Sequence, residues 1–181
     1  YELITADHPE PHLGVVLTYP EREIARPTSR PAAPVRTRSG DLGLAVVGTG
    51  SFATSVLLPA IKELDGVRLI ATASGRGLSA RHAADRFGAE LTGSGLAEVL
   101  ERHDVEAVVI ATRHDRHAAQ AVRALGAGRD VFLEKPAALD EEQLTALGEA
   151  VRTSGRRLMI GFNRRFAPFA LQVREYLSGR T

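Results

Sequence analysis

Three groups of residues in this sequence have the types and spacing to do chemistry. The first is Gly48-Thr-Gly50-Ser51-Phe52-Ala53, a GxGxxA turn. Gly48 permits a tight bend, Gly50 lets the backbone approach a pyrophosphate, and Ala53 is small enough for a helix to pack on a strand. Ser51 and Phe52 would then begin a helix whose free N–H groups point at the phosphates. The alternative is a glycine-rich turn that binds nothing, and a strand before it with a helix after it favours the binding reading. The second group is Glu134-Lys135-Pro136. Lys62 and Lys135 are the only lysines among 23 basic residues, so arginine serves wherever a generic cation would do. Lys135 therefore reads as a compact ammonium kept for proton relay or for polarising an alcohol, and Pro136 biases it to extended backbone. A surface ion pair with Glu134 is the competing reading. The third group is Ala111-Thr112-Arg113-His114-Asp115-Arg116-His117. Its histidines invite a metal, but no further ligand is evident and Asp115 reads as a helix cap. His117 is taken as lining a crevice, and no metal is expected.

A fourth position concerns the choice of dinucleotide. The strand expected before Ser74-Gly75-Arg76 should end in a carboxylate if a ribose 2′-hydroxyl is to be held. No carboxylate occurs from Ser74 up to Asp85. Ser74 and Arg76 suit a 2′-phosphate better, since a guanidinium pairs with it. The sequence thus leans to NADP over NAD, against the reading of Arg76 as one more solvated arginine.

These groups need elements to hold them, and the apolar pattern supplies six strands alternating with helices. Leu42–Val47 reads as a buried strand. A helix follows with Leu57, Ile61 and Leu64 on one face, irregular at Pro59. Val67–Ala73 is the second strand, and Ser79 can cap a helix running through Ala83 and Phe87 to Gly88. A weak strand at 90–92, a short helix at 96–100, a strong strand at 105–111 and a helix at 115–127 come next. The fifth strand is Val131–Leu133. Asp140 and Gln143 start a helix with a Leu144, Leu147, Val151 stripe that Gly155 closes. Leu158–Ile160 is the sixth strand, and 166–177 reads as helical with Pro168 in its first turn. The class is α/β, a doubly wound parallel sheet of the Rossmann type, whose ligand crevice opens at the carboxyl ends of the strands. Before it, residues 13–20 form an isolated strand-like run, and 21–41, with Pro27, Pro31 and Pro34, reads as a linker.

Composition closes off other functions. A formal charge of +1 offers no field for nucleic acid or an anionic membrane. The absence of cysteine excludes disulfides and thiolate metal sites. There is no apolar run of membrane-spanning length and no serine-centred nucleophile elbow, so a cytoplasmic setting and no hydrolytic triad are expected. The partner expected is a small-molecule substrate, and a homo-oligomer is compatible with the sequence.

The order of these motifs, with Gly161-Phe162-Asn163-Arg164-Arg165 after the sixth strand, resembles the Gfo/Idh/MocA oxidoreductases over residues 43 to about 177. The resemblance implies a nicotinamide cofactor held by Gly48, Gly50, Ser51, Phe52, Ala53, Ser74, Arg76, Ala111, Thr112, Arg113, His117, Glu134, Lys135, Asn163 and Arg164. It implies hydride transfer to or from a sugar- or cyclitol-like carbinol, with Lys135 as the catalytic lysine near the nicotinamide. A non-catalytic binding or sensing module and an NAD-dependent glycoside-cleaving relative are the alternatives. Residues 1–20 are similar to the tail of a zinc-type medium-chain alcohol dehydrogenase, as in bi-domain oxidoreductases that fuse the two modules. On that reading residues 42–163 are the dinucleotide domain, and 164–181 begin a truncated substrate domain. The fragment would bind cofactor without being catalytically complete.

Overall fold

The computed structural model describes residues 40–75 and 77–178, all within one compact unit, Arg38–Thr181. The expectations for residues 1–39 and for Arg76 lie outside the described residues. Six strands form a single parallel sheet in the order β3-β2-β1-β4-β5-β6. They are β1 (Leu42–Val47), β2 (Val67–Ala73), β3 (Leu91–Gly93), β4 (Ala107–Ile110), β5 (Asp130–Leu133) and β6 (Leu158–Ile160). The order reverses between β1 and β4, which is where a doubly wound sheet opens its ligand crevice. The apolar runs read from sequence are buried because helices cover both faces: Ala45, Val47, Val108 and Ile110 belong to one core, Leu44, Val46 and Val109 to the other.

The helices are α1, a π-helical turn Ala53–Leu57 running into Leu58–Lys62, then α2 (Gly77–Phe87), α3 (Leu96–Leu100), α4 (His117–Gly126), α5 (Glu141–Ser154) and α6 (Pro168–Ser178). Alanine accounts for much of their seating. In α4 the buried set Ala118, Ala121, Ala124 and Leu125 presents a nearly flat face that lets the helix approach the sheet closely. The helix α5 begins as expected, with the Asp140 carboxylate accepting from the Gln143 amide at 2.8 Å, and it closes at Gly155, whose φ is 62°.

Four sequence expectations are corrected. The wide turn at Ala53–Leu57, marked by Leu58 N–H donating to the Ala53 carbonyl, rotates the α1 face so that Leu58 is fully buried. Pro59, which has no N–H to give to the preceding turn, follows directly. The helix then ends at Lys62, and Leu64 lies beyond it, 55% exposed. Ser79 is no cap, because α2 starts two residues earlier at Gly77. Asp115 is no cap either: it sits inside a 3-10 turn, His114–Arg116, and α4 begins at His117 without a capping side chain. In α5 Leu147 is buried and Val151 packs against the core, but Leu144 of the expected stripe is exposed.

Register gives the fold its functional meaning. Val47 pairs with Ala73 on one side and Ile110 on the other, Ile110 with Leu133, and Leu133 with Ile160. Ala73 pairs in turn with Gly93, so one rung of the sheet carries the last residue of all six strands. After five of them the next residues in the chain are Ser74, Gly48, Ala111, Glu134 and Gly161, the starting points of every motif read from sequence.

Candidate cofactor and active site

The turn after β1 is built around Gly48. Its amide donates to the Ala73 carbonyl at 2.8 Å, and its φ of 98° lies in the region that favours glycine. A Cβ there would stand 2.4 Å from the Ala111 carbonyl oxygen. Gly50 differs: a Cβ at that position would meet nothing within 4 Å, so the space beside it is open. A cavity of ≈ 680 Å³ occupies that space and is lined by Gly48, Thr49, Gly50, Ser74 and Ser79, with Thr112, Arg113 and Arg116 on its far side. Among the described residues, none that lines it is acidic. A pyrophosphate needs that arrangement: bare backbone, donors and no opposing charge.

A hydroxyl cluster closes one end of this cavity. Thr49 Oγ1 donates to Ser79 Oγ at 3.0 Å, and Ser79 Oγ lies 2.7 Å from Ser74 Oγ. Ser74 was legible from sequence as the residue after β2, but Thr49 and Ser79 were not. Their only signal was position, an unspecified place in the glycine turn and the third residue of α2, and the fold was needed to bring them together. Arg76 falls outside the described residues, so Ser74 represents the sequence's NADP reading in the structure.

The adjoining cavity, ≈ 380 Å³, is lined by Phe52, Thr112, His117, Glu134, Lys135 and Arg164 among others. Ala111 and Thr112 line both this cavity and the phosphate cavity, so the two meet at the end of β4. Ser51 and Ala53 do not line either; Ala53 is buried beneath the turn, filling the small-residue position of the motif. Asn163 and Arg164 enter from the 3-10 turn Asn163–Phe166 after β6.

Two buried polar residues hold this end together. His117 is 1% exposed, with Nδ1 2.7 Å from the Pro136 carbonyl and Nε2 3.1 Å from the Thr112 carbonyl. Both ring nitrogens are thus engaged by main chain, and the imidazole ties the loop after β4 to the loop after β5. Glu134 is buried beside Gly161, where a Cβ would lie 2.7 Å from Glu134 Oε1. Its carboxylate accepts the Lys135 backbone amide at 3.3 Å, and no ion pair joins the two side chains. The ammonium of Lys135, an exposed residue, is left to the cavity it lines.

A crevice at a sheet switch point, with a phosphate turn at one end and a lysine at the other, defines a dinucleotide-dependent α/β protein. Comparison with known proteins narrows the class. The Gfo/Idh/MocA family, described as an oxidoreductase family with an NAD-binding Rossmann fold, matches residues 42–162. The chain belongs to this family. It is 34% identical over 125 residues to 4-carboxy-2-hydroxymuconate-6-semialdehyde dehydrogenase of Sphingobium sp., covering 69% of this chain and 39% of that protein. It is 32% identical over 142 residues to inositol 2-dehydrogenase of Gluconacetobacter diazotrophicus, covering 77% of this chain and 42% of the relative. Among solved structures, KijD10, a 3-ketoreductase from Actinomadura kijaniata in complex with TDP-benzene and NADP, superposes with a TM-score of 0.71 at 33% identity. That match covers 77% of this chain and 44% of the ketoreductase. The chain therefore spans less than half the length of these relatives.

Proposed function

We propose that this chain is the NAD(P)-binding module of an oxidoreductase acting on a sugar- or cyclitol-like alcohol or ketone, with NADP the better-fitting cofactor. The observation that carries this reading is the shared rung: it sets the phosphate turn after β1, the hydroxyls after β2 and Lys135 after β5 along one crevice. Inositol dehydrogenases among the relatives support the substrate class; an NADP-complexed ketoreductase and a scyllo-inositol 2-dehydrogenase named for NAD(+) support a nicotinamide cofactor of either kind.

Each residue has a definite task on this reading. The backbone at Gly48 and Gly50 admits the pyrophosphate, and Ser74, Thr49 and Ser79 hydroxyls meet the ribose end with Arg76. The nicotinamide, when bound, supplies the hydride chemistry. Lys135 holds or gives the proton at the reacting oxygen of the substrate, which a compact ammonium with no acceptor of its own can do. Glu134 and His117 are positioning residues: they fix the backbone on either side of Lys135 through the contacts described above. The test is net conversion of NADP⁺ to NADPH, with myo-inositol and related cyclitols, by the longer protein of which this chain is the proposed NAD(P)-binding module. Net accumulation is expected, and Lys135→Ala should abolish it while leaving cofactor binding in place. Substrate turnover with no net change in cofactor, or an unimpaired Lys135→Ala variant, would overturn the reading.

A further inference from the structure

Lys135 also lines a further cavity, which shares Lys135, Asn163 and Arg164 with the cavity adjoining the phosphate cavity and adds Phe162 and Arg165. This further cavity measures ≈ 480 Å³ and is lined by Lys135, Phe162, Asn163, Arg164 and Arg165. None of these residues lines the phosphate cavity beside Gly48 and Gly50. Among these five described residues three are cations and none is acidic. Among the described residues, neither Arg164 nor Arg165 forms an ion pair; the Arg165 guanidinium instead rests over the Phe162 ring, 5.3 Å from its centroid. The sequence brings this about simply. The strands β5 and β6 are neighbours in register, so the residues after Leu133 and after Ile160 emerge side by side. The 3-10 turn Asn163–Phe166 then presents consecutive arginines beside the lysine.

The hydrogen-bonding inventory of this cavity is lopsided. Lysine and arginine side chains only donate, and the Asn163 amide oxygen is the single side-chain acceptor on the lining. A neutral polyol brings as many hydroxyl donors as acceptors, and these side chains leave its hydrogens to main-chain carbonyls and the single Asn163 oxygen. A carboxylate or phosphate only accepts, matches the guanidinium fork, and meets no opposing charge. We infer that the substrate of this site carries a compact oxyanion, which Arg164 and Arg165 bind while Lys135 meets the reacting oxygen. The inference deepens the proposed function and rests on it for the place of the reaction.

The experiment compares three ring-matched probes on the 181-residue chain by saturation-transfer NMR, each without and with saturating NADPH. The probes are myo-inositol (neutral), quinate (carboxylate) and myo-inositol 1-phosphate. Either anionic probe should bind at least tenfold more tightly than myo-inositol, and whichever does so identifies the oxyanion. Raising the salt should erode the preference. Arg164→Gln with Arg165→Gln should remove it, Arg165→Lys should retain most of it, and thermal melting would confirm that each variant is folded. Equal affinity for all three probes, or an anion preference that survives the double glutamine variant, would overturn the inference. Displacement of the anionic probe by NADPH would also overturn it, because the cations would then serve the cofactor. NADPH binding is read separately in the same samples, so its failure would count against the proposed function and not against the oxyanion preference.

Discussion

At the scale of single residues, the two glycines of the phosphate turn do different work. Gly48 carries a left-handed φ and sits against the Ala111 carbonyl, so any side chain there must displace backbone. Gly50 has open space where a Cβ would go, and that space is the phosphate cavity. The two substitutions should therefore fail in different ways. Gly48→Ala should destabilise the fold by about 1–3 kcal/mol through backbone strain, seen as a lowered Tm. Gly50→Val should melt with the wild type and yet lose NAD(P)H binding, because a branched side chain would fill the pyrophosphate position. Unchanged cofactor affinity in a folded Gly50→Val variant would remove the phosphate-turn assignment. His117 illustrates what residue types alone leave open. Its place beside His114 and Asp115 suggested a crevice-lining imidazole, and it does line the crevice. Its partners, two main-chain carbonyls from separate loops, depend on how β4 and β5 end and could not be read from spacing.

At the scale of elements, the strands were the most legible part of the chain, because both faces of a parallel sheet are buried and the strand runs are continuously apolar. All six fall where the apolar pattern puts them, within two residues at either end. Helix faces and helix starts were harder. Ser79 and Asp115 are capping residue types, but α2 and α4 begin elsewhere, set by the loops that enter the crevice. The candidate site was legible as a set of strand ends and not as side-chain partners: Gly48, Ser74, Ala111 and Lys135 were readable, whereas Thr49, Ser79 and Arg165 needed the register to place them. The ends of the strands remote from the site hold their own clip. Asp130, which opens β5, accepts from the Arg157 amide at 3.0 Å and from its guanidinium at 3.0 and 2.6 Å. Burial works against ionisation of Asp130, but the amide and guanidinium of Arg157 outweigh it and hold the carboxyl below its ordinary range. A folded-state pKa depressed in this way contributes stability above the unfolded value, and that contribution is lost as pH falls through the folded one. Asp130→Asn should therefore cost about 1 kcal/mol at neutral pH, and the difference should vanish in acid below the usual aspartate range. Denaturant melts at both pH values would show this, with cofactor binding unaffected. A gap between variant and wild type that persists in acid would contradict it.

At the scale of the whole molecule, charge is arranged and not merely balanced. The chain carries a formal charge of only +1, yet among the described residues the linings of the phosphate cavity and of the Lys135–Arg165 cavity include arginines and no carboxylate. Glu134, the acidic residue between them, is buried against Gly161 with its backbone neighbour for a partner. At the remote strand ends acids pair with arginines, as Asp104 does with Arg102 and Asp130 with Arg157. This arrangement is the one the proposed reading requires for an anionic dinucleotide and, beyond the lysine, for an anionic substrate group. Among the described residues no helix is long and apolar enough to cross a membrane. The most direct test of the account is a fluorescence titration of this chain with NADPH and with NADH, repeated on Arg76→Ala. Saturable binding of both is expected, with NADPH the tighter, and the substitution should weaken NADPH selectively by ~1.5–3 kcal/mol, about one charged hydrogen bond. Absence of saturable binding for either cofactor would contradict the central claim, and NADH binding more tightly than NADPH would contradict the assignment of Ser74 and Arg76.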